Sequence, residues 1–242
     1  MIVLCTDFGL EGPYTGQVKA VLLQQAPATA VVDLFSDLPV CNPKASAYLL
    51  SAYSQNFEPD TVFMCVVDPG VGSERDALIL HTDQHWFVGP DNGLLEMVTR
   101  RCTPHELWRI TWRPERLSST FHGRDLFAPV AAMLSAGRMP DAEQLDPRPP
   151  RADYPNDLFE VVYIDHYGNA ITGVRSAAIP ESSVLSVNGL QIHPARTFSS
   201  MPAGQALWYA NSNGQVEIAV NLGRACDVLG LKTGDAFTAG SK

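Results

Sequence analysis

The chain has 242 residues, 45% of them hydrophobic and 18% charged, with a formal net charge of −9. That balance describes a globular chain able to bury a real core. It excludes the basic surface that nucleic-acid phosphates favour and is compatible with a cationic small substrate. No apolar stretch is long enough to cross a bilayer, and Met1 leads directly into the strand-like Ile2-Val3-Leu4-Cys5 without the charged and apolar regions of a signal peptide. The five cysteines (Cys5, Cys41, Cys65, Cys102, Cys226) are odd in number, scattered and free of any C-x-x-C pair. They read as reduced thiols of a cytoplasmic protein.

Strand and helix signals alternate in the first part. Ile2 to Thr6 is an apolar run, residues 14–25 follow with helical spacing, and Pro27 marks the stop. Ala30 to Phe35 is a second strand candidate. Residues 44–55 form a predicted helix behind Asn42-Pro43, with proline near the start. Thr61 to Val67 is β-branched and apolar until Asp68-Pro69-Gly70 ends it. Ala77–Leu80 and Trp86–Val88 are two further strands, and a helix starts after the turn Gly89 to Gly93. Asp125 to Ala136 predicts another helix, with Pro129 tolerable only in its first turn. Strands separated by helices predict an α/β domain with a mostly parallel central sheet flanked by helices.

The character changes at Asp146-Pro147-Arg148-Pro149-Pro150, which can continue neither helix nor sheet. Beyond it, residues 158–164, 184–187 and 215–220 are strand-like, and Asn188-Gly189 is a strong hairpin signal. The predicted organisation is an α/β domain over 1–148, a linker at 149–154 and a small all-β domain over 155–242.

Several segments carry candidate chemistry. Asp7, in Thr6-Asp7-Phe8-Gly9, lies just beyond the first strand, where open α/β sheets bind ligands. A carboxylate there suits a ribose diol; capping of the next helix is the equally weighted alternative. Asp68 and Arg75 bracket the turn Asp68-Pro69-Gly70-Val71-Gly72-Ser73-Glu74-Arg75, whose glycine spacing fits no phosphate loop. By themselves they read as a salt bridge across a turn. His122, in Phe121-His122-Gly123-Arg124-Asp125, stands at a loop-to-helix junction, and its side chain is suited to proton exchange near neutral pH. Asp165-His166-Tyr167-Gly168-Asn169 and Asn211-Ser212-Asn213-Gly214 have the composition of Asx/Gly turns. No group has metal-ligand spacing, so no metal is assigned.

Together, and in this order along the chain, these motifs and Gly89-Pro90-Asp91-Asn92-Gly93 resemble the S-adenosylmethionine hydrolases. These are also called S-adenosylmethionine hydroxide adenosyltransferases and are relatives of the fluorinases and chlorinases. The resemblance spans nearly the whole chain. It implies that Asp68, Arg75 and His122 hold and activate an attacking water and that Asp7 binds the ribose. It also implies that Asp165 contacts the methionine ammonium, Asn169 the adenine and Ser212 the carboxylate, with Phe198 stacked on adenine. Asn213 stands where some halogenases carry an arginine for that carboxylate. Fluorinases lack the Asp-Pro-Gly-Val-Gly motif and place serine at the position of Gly123; this chain follows the hydrolase pattern at both points. The implied reaction is hydrolysis of S-adenosylmethionine to adenosine and methionine without a cofactor, in a homotrimer with sites at its subunit interfaces. The alternatives are a chloride-using halogenase and a non-catalytic sensor of adenosine or S-adenosylmethionine. The first is disfavoured by the Asp68–Arg75–His122 set, which has no evident use in halide transfer, and the second because a sensor does not need it.

Overall fold

The computed structural model describes residues 1–102 and 104–240. The chain divides into two compact units, Met1–Ala152 and Asp153–Lys242.

The first unit is built on a seven-stranded sheet: β1 (Ile2–Thr6), β2 (Val31–Phe35), β3 (Thr61–Val66), β4 (Ala77–Thr82), β5 (His85–Pro90), β6 (His105–Ile110) and β7 (Ala142–Leu145). Their order is β2-β1-β3-β5-β4-β6-β7. The sheet is mixed, which corrects the expectation of a mostly parallel one. Pairs β1/β2, β1/β3 and β3/β5 are parallel, whereas β4/β5, β4/β6 and β6/β7 are antiparallel. The reason is the short connection Asp83-Gln84, which allows only a hairpin between β4 and β5, because a parallel pair needs a crossover of a dozen residues. Pairing of β6 with β4 and of β7 with β6 extends the antiparallel half.

Strands β1 and β3 are buried along their whole length on both faces, as expected of strands in the middle of a parallel arrangement. One face packs through Ile2, Leu4, Val62, Met64 and Ile79 in one core with Val18 and Leu22 of helix α1 (Tyr14–Gln25) and Val130 and Ala131 of α4 (Ala128–Ser135). The alternate residues Val3, Cys5, Phe63, Cys65 and Phe87 are equally buried. Helix α2 (Pro43–Tyr53) is buried from Ala45 to Ala52, and the Asn42 side chain caps it by accepting from the Ala45 N–H at 3.0 Å. It packs on α3 (Glu96–Arg101).

The helix expected at 125–136 begins differently. Residues Gly123–Phe127 form a π turn, and α-helical geometry starts at Ala128, so Pro129 falls in the first turn, where its missing N–H costs nothing. The proline-rich stretch is tied to the first unit: Arg148 donates to Asp91 at 2.7 Å, and the Arg151 N–H donates to Glu96 at 2.9 Å.

The second unit is dominated by another seven-stranded sheet. It comprises β8 (Leu158–Ile164), β9 (Ala170–Arg175), β10 (Val184–Val187), β11 (Leu190–Pro194), β12 (Ala206–Ala210), β13 (Gln215–Val220) and β14 (Thr238–Gly240). A four-residue helix, α5 (Ala225–Val228), and two 3₁₀ turns accompany it. All pairs are antiparallel except β11/β12. Asn188 and Gly189 both have positive φ, as the tight β10–β11 hairpin requires. Val174, Leu185, Ile192, Trp208, Val216 and Ile218 belong to its core.

Among the described residues, no helix is long and apolar enough to cross a membrane. All five cysteines are free; Cys5 and Cys65 are buried, and Cys41 is exposed.

Candidate active site

Because β2 lies on one side of β1 and β3 on the other, the chain leaves β1 and β3 in opposite directions. At such a switch point, open α/β sheets bind ligands in a crevice beyond the carboxyl ends of the strands. The register Thr6↔Val66 brings the next residues of both strands, Asp7 and then Asp68, to this crevice. Asp7 does not cap α1, whose first turn has no side-chain cap. Its Oδ2 instead accepts from the Cys41 N–H at 2.9 Å. Burial pushes the Asp7 carboxyl above the usual carboxylate range, the bond from Cys41 opposes this, and the nearby Asp68 charge adds to it.

Asp68, Arg75 and His122 form a hydrogen-bonded chain. Arg75 grips Asp68 with both arms of its fork, Nε to Oδ1 at 2.7 Å and Nη2 to Oδ2. Both side chains are nearly buried, at 3% exposure for Asp68 and 10% for Arg75. Nη1 of Arg75 donates to the Asp76 carbonyl at 3.1 Å, and its guanidinium lies 5.4 Å from the centre of the Phe127 ring. Nη2 also reaches His122 Nδ1 at 3.2 Å. A guanidinium only donates, so Nδ1 accepts and the imidazole proton sits on Nε2. The neutral ring is favoured physically: burial and then the Arg75 charge hold His122 below its ordinary pKa, against the opposing charge of Asp68.

Local backbone chemistry places these groups. Asn92, from the turn after β5, donates to the Val67 carbonyl at 2.8 Å and holds the backbone just ahead of Asp68. Gly72 has φ +82°, and a Cβ there would come within 2.2 Å of the Ser119 carbonyl oxygen, so only glycine lets the two loops meet. Asp125 accepts from the Ser118 N–H at 2.9 Å and from Arg124 at 2.6 Å, tying the segment before His122 to the π turn. A Cβ on Gly123 would lie 2.8 Å from the Phe8 ring, which packs edge-on to Phe121. π turns frequently mark functional positions.

In the second unit, Asp165 accepts from the Asn169 N–H at 2.8 Å and from its side-chain amide at 3.0 Å, closing the turn between β8 and β9. Phe198 meets Tyr209 edge-on, with ring centres 5.2 Å apart. Ser212 lies in the β12–β13 loop, with its Oγ 3.4 Å from the Asn213 amide. Sequence reasoning missed the group at the centre of this region, Glu217 on β13. Glu217 is only 6% exposed and accepts from the Tyr209 hydroxyl and from the Asn211 amide at 3.0 Å. Burial raises its carboxyl above the usual range, the two hydrogen bonds oppose this, and Asp165 contributes further in the same direction. The available signal was a glutamate inside the otherwise apolar run Val216-Glu217-Ile218-Ala219-Val220.

Comparison with known proteins matches this layout. Residues 2–144 fit the SAM hydroxide adenosyltransferase N-terminal domain, and residues 159–238 fit the C-terminal domain. The chain belongs to the SAM hydroxide adenosyltransferase family. Among its relatives, a protein of Thermus thermophilus named (R)-S-adenosyl-L-methionine hydrolase is 38% identical, with 96% of each chain covered. One of the same name from Salinispora arenicola is 37% identical, over 99% of this chain and 98% of that one. A crystal structure of an uncharacterized conserved protein from Thermotoga maritima superposes with a TM-score of 0.83 at 33% identity, covering 99% of both chains. Membership of the family accounts for the co-occurrence of the two units and for the ordered motifs that run through both.

Proposed function

We propose that this protein hydrolyses S-adenosyl-L-methionine to adenosine and L-methionine by attack of water at C5′. The names of its relatives support the reaction, and the observation that carries it is the Asp68–Arg75–His122 chain beside the crevice of β1 and β3. The sulfonium leaves as a neutral thioether, so sulfur needs no general acid, and the difficulty lies with the weak nucleophile. In this reading Arg75 stabilises negative charge developing on the water oxygen, and Asp68 and His122 orient the water and take up or pass its proton. A positioned base contributes about 10²–10⁴-fold. In-line placement of oxygen behind C5′ lowers the barrier by roughly 7–11 kcal/mol. Asp7 binds the ribose diol, Asn169 and Phe198 bind adenine, Asp165 binds the ammonium and Ser212 the carboxylate. The chemistry calls for no cofactor or metal, and we assign the protein to the cytoplasm.

The test is incubation of purified protein with S-adenosylmethionine in ¹⁸O-labelled water. Adenosine and methionine should form in equal amounts, with the label on the 5′-hydroxyl. Label absent from adenosine, or a 5′-chloro product dominating in excess chloride, overturns the hydrolytic reading. We further propose that the working form is a homotrimer whose sites draw on neighbouring chains. Reassembly of mixed His122→Ala and Asp165→Ala proteins should then regenerate activity, and a fully active monomer in sedimentation would refute this.

A further inference from the structure

On the hydrolytic reading, displacement at C5′ requires the entering oxygen to stand opposite the departing sulfur. The adenosyl group itself then lies between the incoming water and the methionine it displaces. Water needs an approach on the triad side that a bound substrate leaves open. The first unit has such a space. A cleft of about 340 Å³ has Arg75 and His122 in its wall, together with Gly72, Arg113, Leu117 and Ser119. Asp7, Phe8 and Asp68 do not line it. Arg75 therefore faces Asp68 through its fork while also bordering this second space, and His122 is bonded to Arg75 at the same border.

The walls suit a water path. The Arg113 guanidinium is pinned by the carbonyls of Ile110 and Trp112, each at 2.8 Å, and has no carboxylate partner among the described residues. Exposed Ser119 and Leu117 form the outer edge, so the cleft opens to solvent. Gly72 makes the outer wall possible, because any side chain there would push the Ser119 segment away. We infer that this cleft is the conduit by which the nucleophilic water reaches the Arg75–His122 pair and by which its proton leaves. In each turnover the water oxygen bonds to C5′, the C5′–S bond breaks with its electron pair retained by sulfur, and one water proton passes out along the same file of water. The substrate crevice and the water supply are thus separate openings that meet at the triad.

Two measurements test this. Ser119→Trp and Leu117→Trp place a large ring at the exposed edge of the cleft, with Ser119→Ala as the control. Each tryptophan variant that binds adenosine within about twofold of the unaltered protein should lose tenfold or more in kcat with KM within about twofold. Normal kcat in both folded variants overturns the conduit, whereas an unaltered protein that does not hydrolyse S-adenosylmethionine overturns the functional reading instead. The second measurement needs no variant: hydrogen–deuterium exchange at the His122 imidazole C2, followed by mass spectrometry with and without saturating adenosine. Exchange persisting within about threefold when adenosine fills the crevice supports a separate opening to solvent, and exchange abolished by adenosine refutes it.

Discussion

The two units hold their polar groups in opposite ways. In the first, a buried carboxylate is balanced by a guanidinium, and the same guanidinium holds a neutral imidazole, so the cluster is charge-compensated and donor-rich. In the second, Asp165 and Glu217 lie within electrostatic reach of each other, and their partners are amides and a tyrosine hydroxyl, with no lysine or arginine paired to either among the described residues. The first arrangement can stabilise charge that develops during a reaction, because its donors are already oriented. The second is left acidic and is eased by an arriving cation. The contrast predicts that damage to the Asp68–Arg75–His122 cluster affects turnover, and damage to the Asp165–Glu217 cluster affects binding.

The largest expected effect follows removal of Arg75. Arg75→Ala strips Asp68 of its partner inside the protein, which costs about 3–5 kcal/mol of stability. Turnover should fall at least about 10²–10³-fold. Thermal unfolding and steady-state kinetics check the two parts separately, and a normal melting temperature would break the claim that the pair is buried and mutually dependent. Next is His122→Ala, expected to lower kcat about 10²–10⁴-fold while adenosine affinity persists. An effect confined to KM would erase the contrast between the units.

A smaller effect is expected in the second unit. Glu217→Ala leaves the Tyr209 hydroxyl and the Asn211 amide without their acceptor and removes one of two carboxylates, so KM should rise about tenfold with little change in kcat. A kcat loss as large as that of His122→Ala would show that the second unit takes part in the chemistry.

Asp7 sharpens the comparison from the side of stability. Its carboxyl is raised in the folded protein, so its favourable contribution exists below the ordinary carboxylate pKa and is lost as pH rises through the folded value. Asp7→Asn should therefore raise the melting temperature at neutral pH by about 2 °C, with the gain vanishing near about pH 4. Ribose binding should weaken in the same variant, which calorimetry with adenosine would measure. The smallest effect is the position of the acid limb. Because the His122 pKa is lowered, the neutral ring persists to lower pH, and the acid limb of kcat/KM should have its midpoint below the ordinary histidine value of about 6.5. A limb above that value would contradict the 3.2 Å contact with Arg75.

Much of this was legible in the chain itself. Apolar runs bounded by Pro, Gly and Asp located β1, β3 and β13, Asn42-Pro43 announced α2, and Asn188-Gly189 announced its hairpin, because these signals are local and set by backbone sterics. Asp7, Asp68, Arg75 and His122 were visible as motif residues. Strands β6, β7, β9, β12 and β14 were not picked out, because short strands with mixed faces gain their stability from partners far along the chain rather than from their own pattern.

Tertiary structure alone decided the rest. Strand direction depends on which neighbour completes the ladder, and so the sheet of the first unit proved mixed. That Arg75 spans Asp68, 7 positions before it, and His122, 47 positions after it, depends on loops docking through Gly72 and Asn92. The importance of Glu217 appears only once β12 sets Tyr209 opposite it. Sequence determines local conformation and the available chemistry. Burial and the partner each charged group meets are non-local, and those two quantities set what a carboxylate or an imidazole can do.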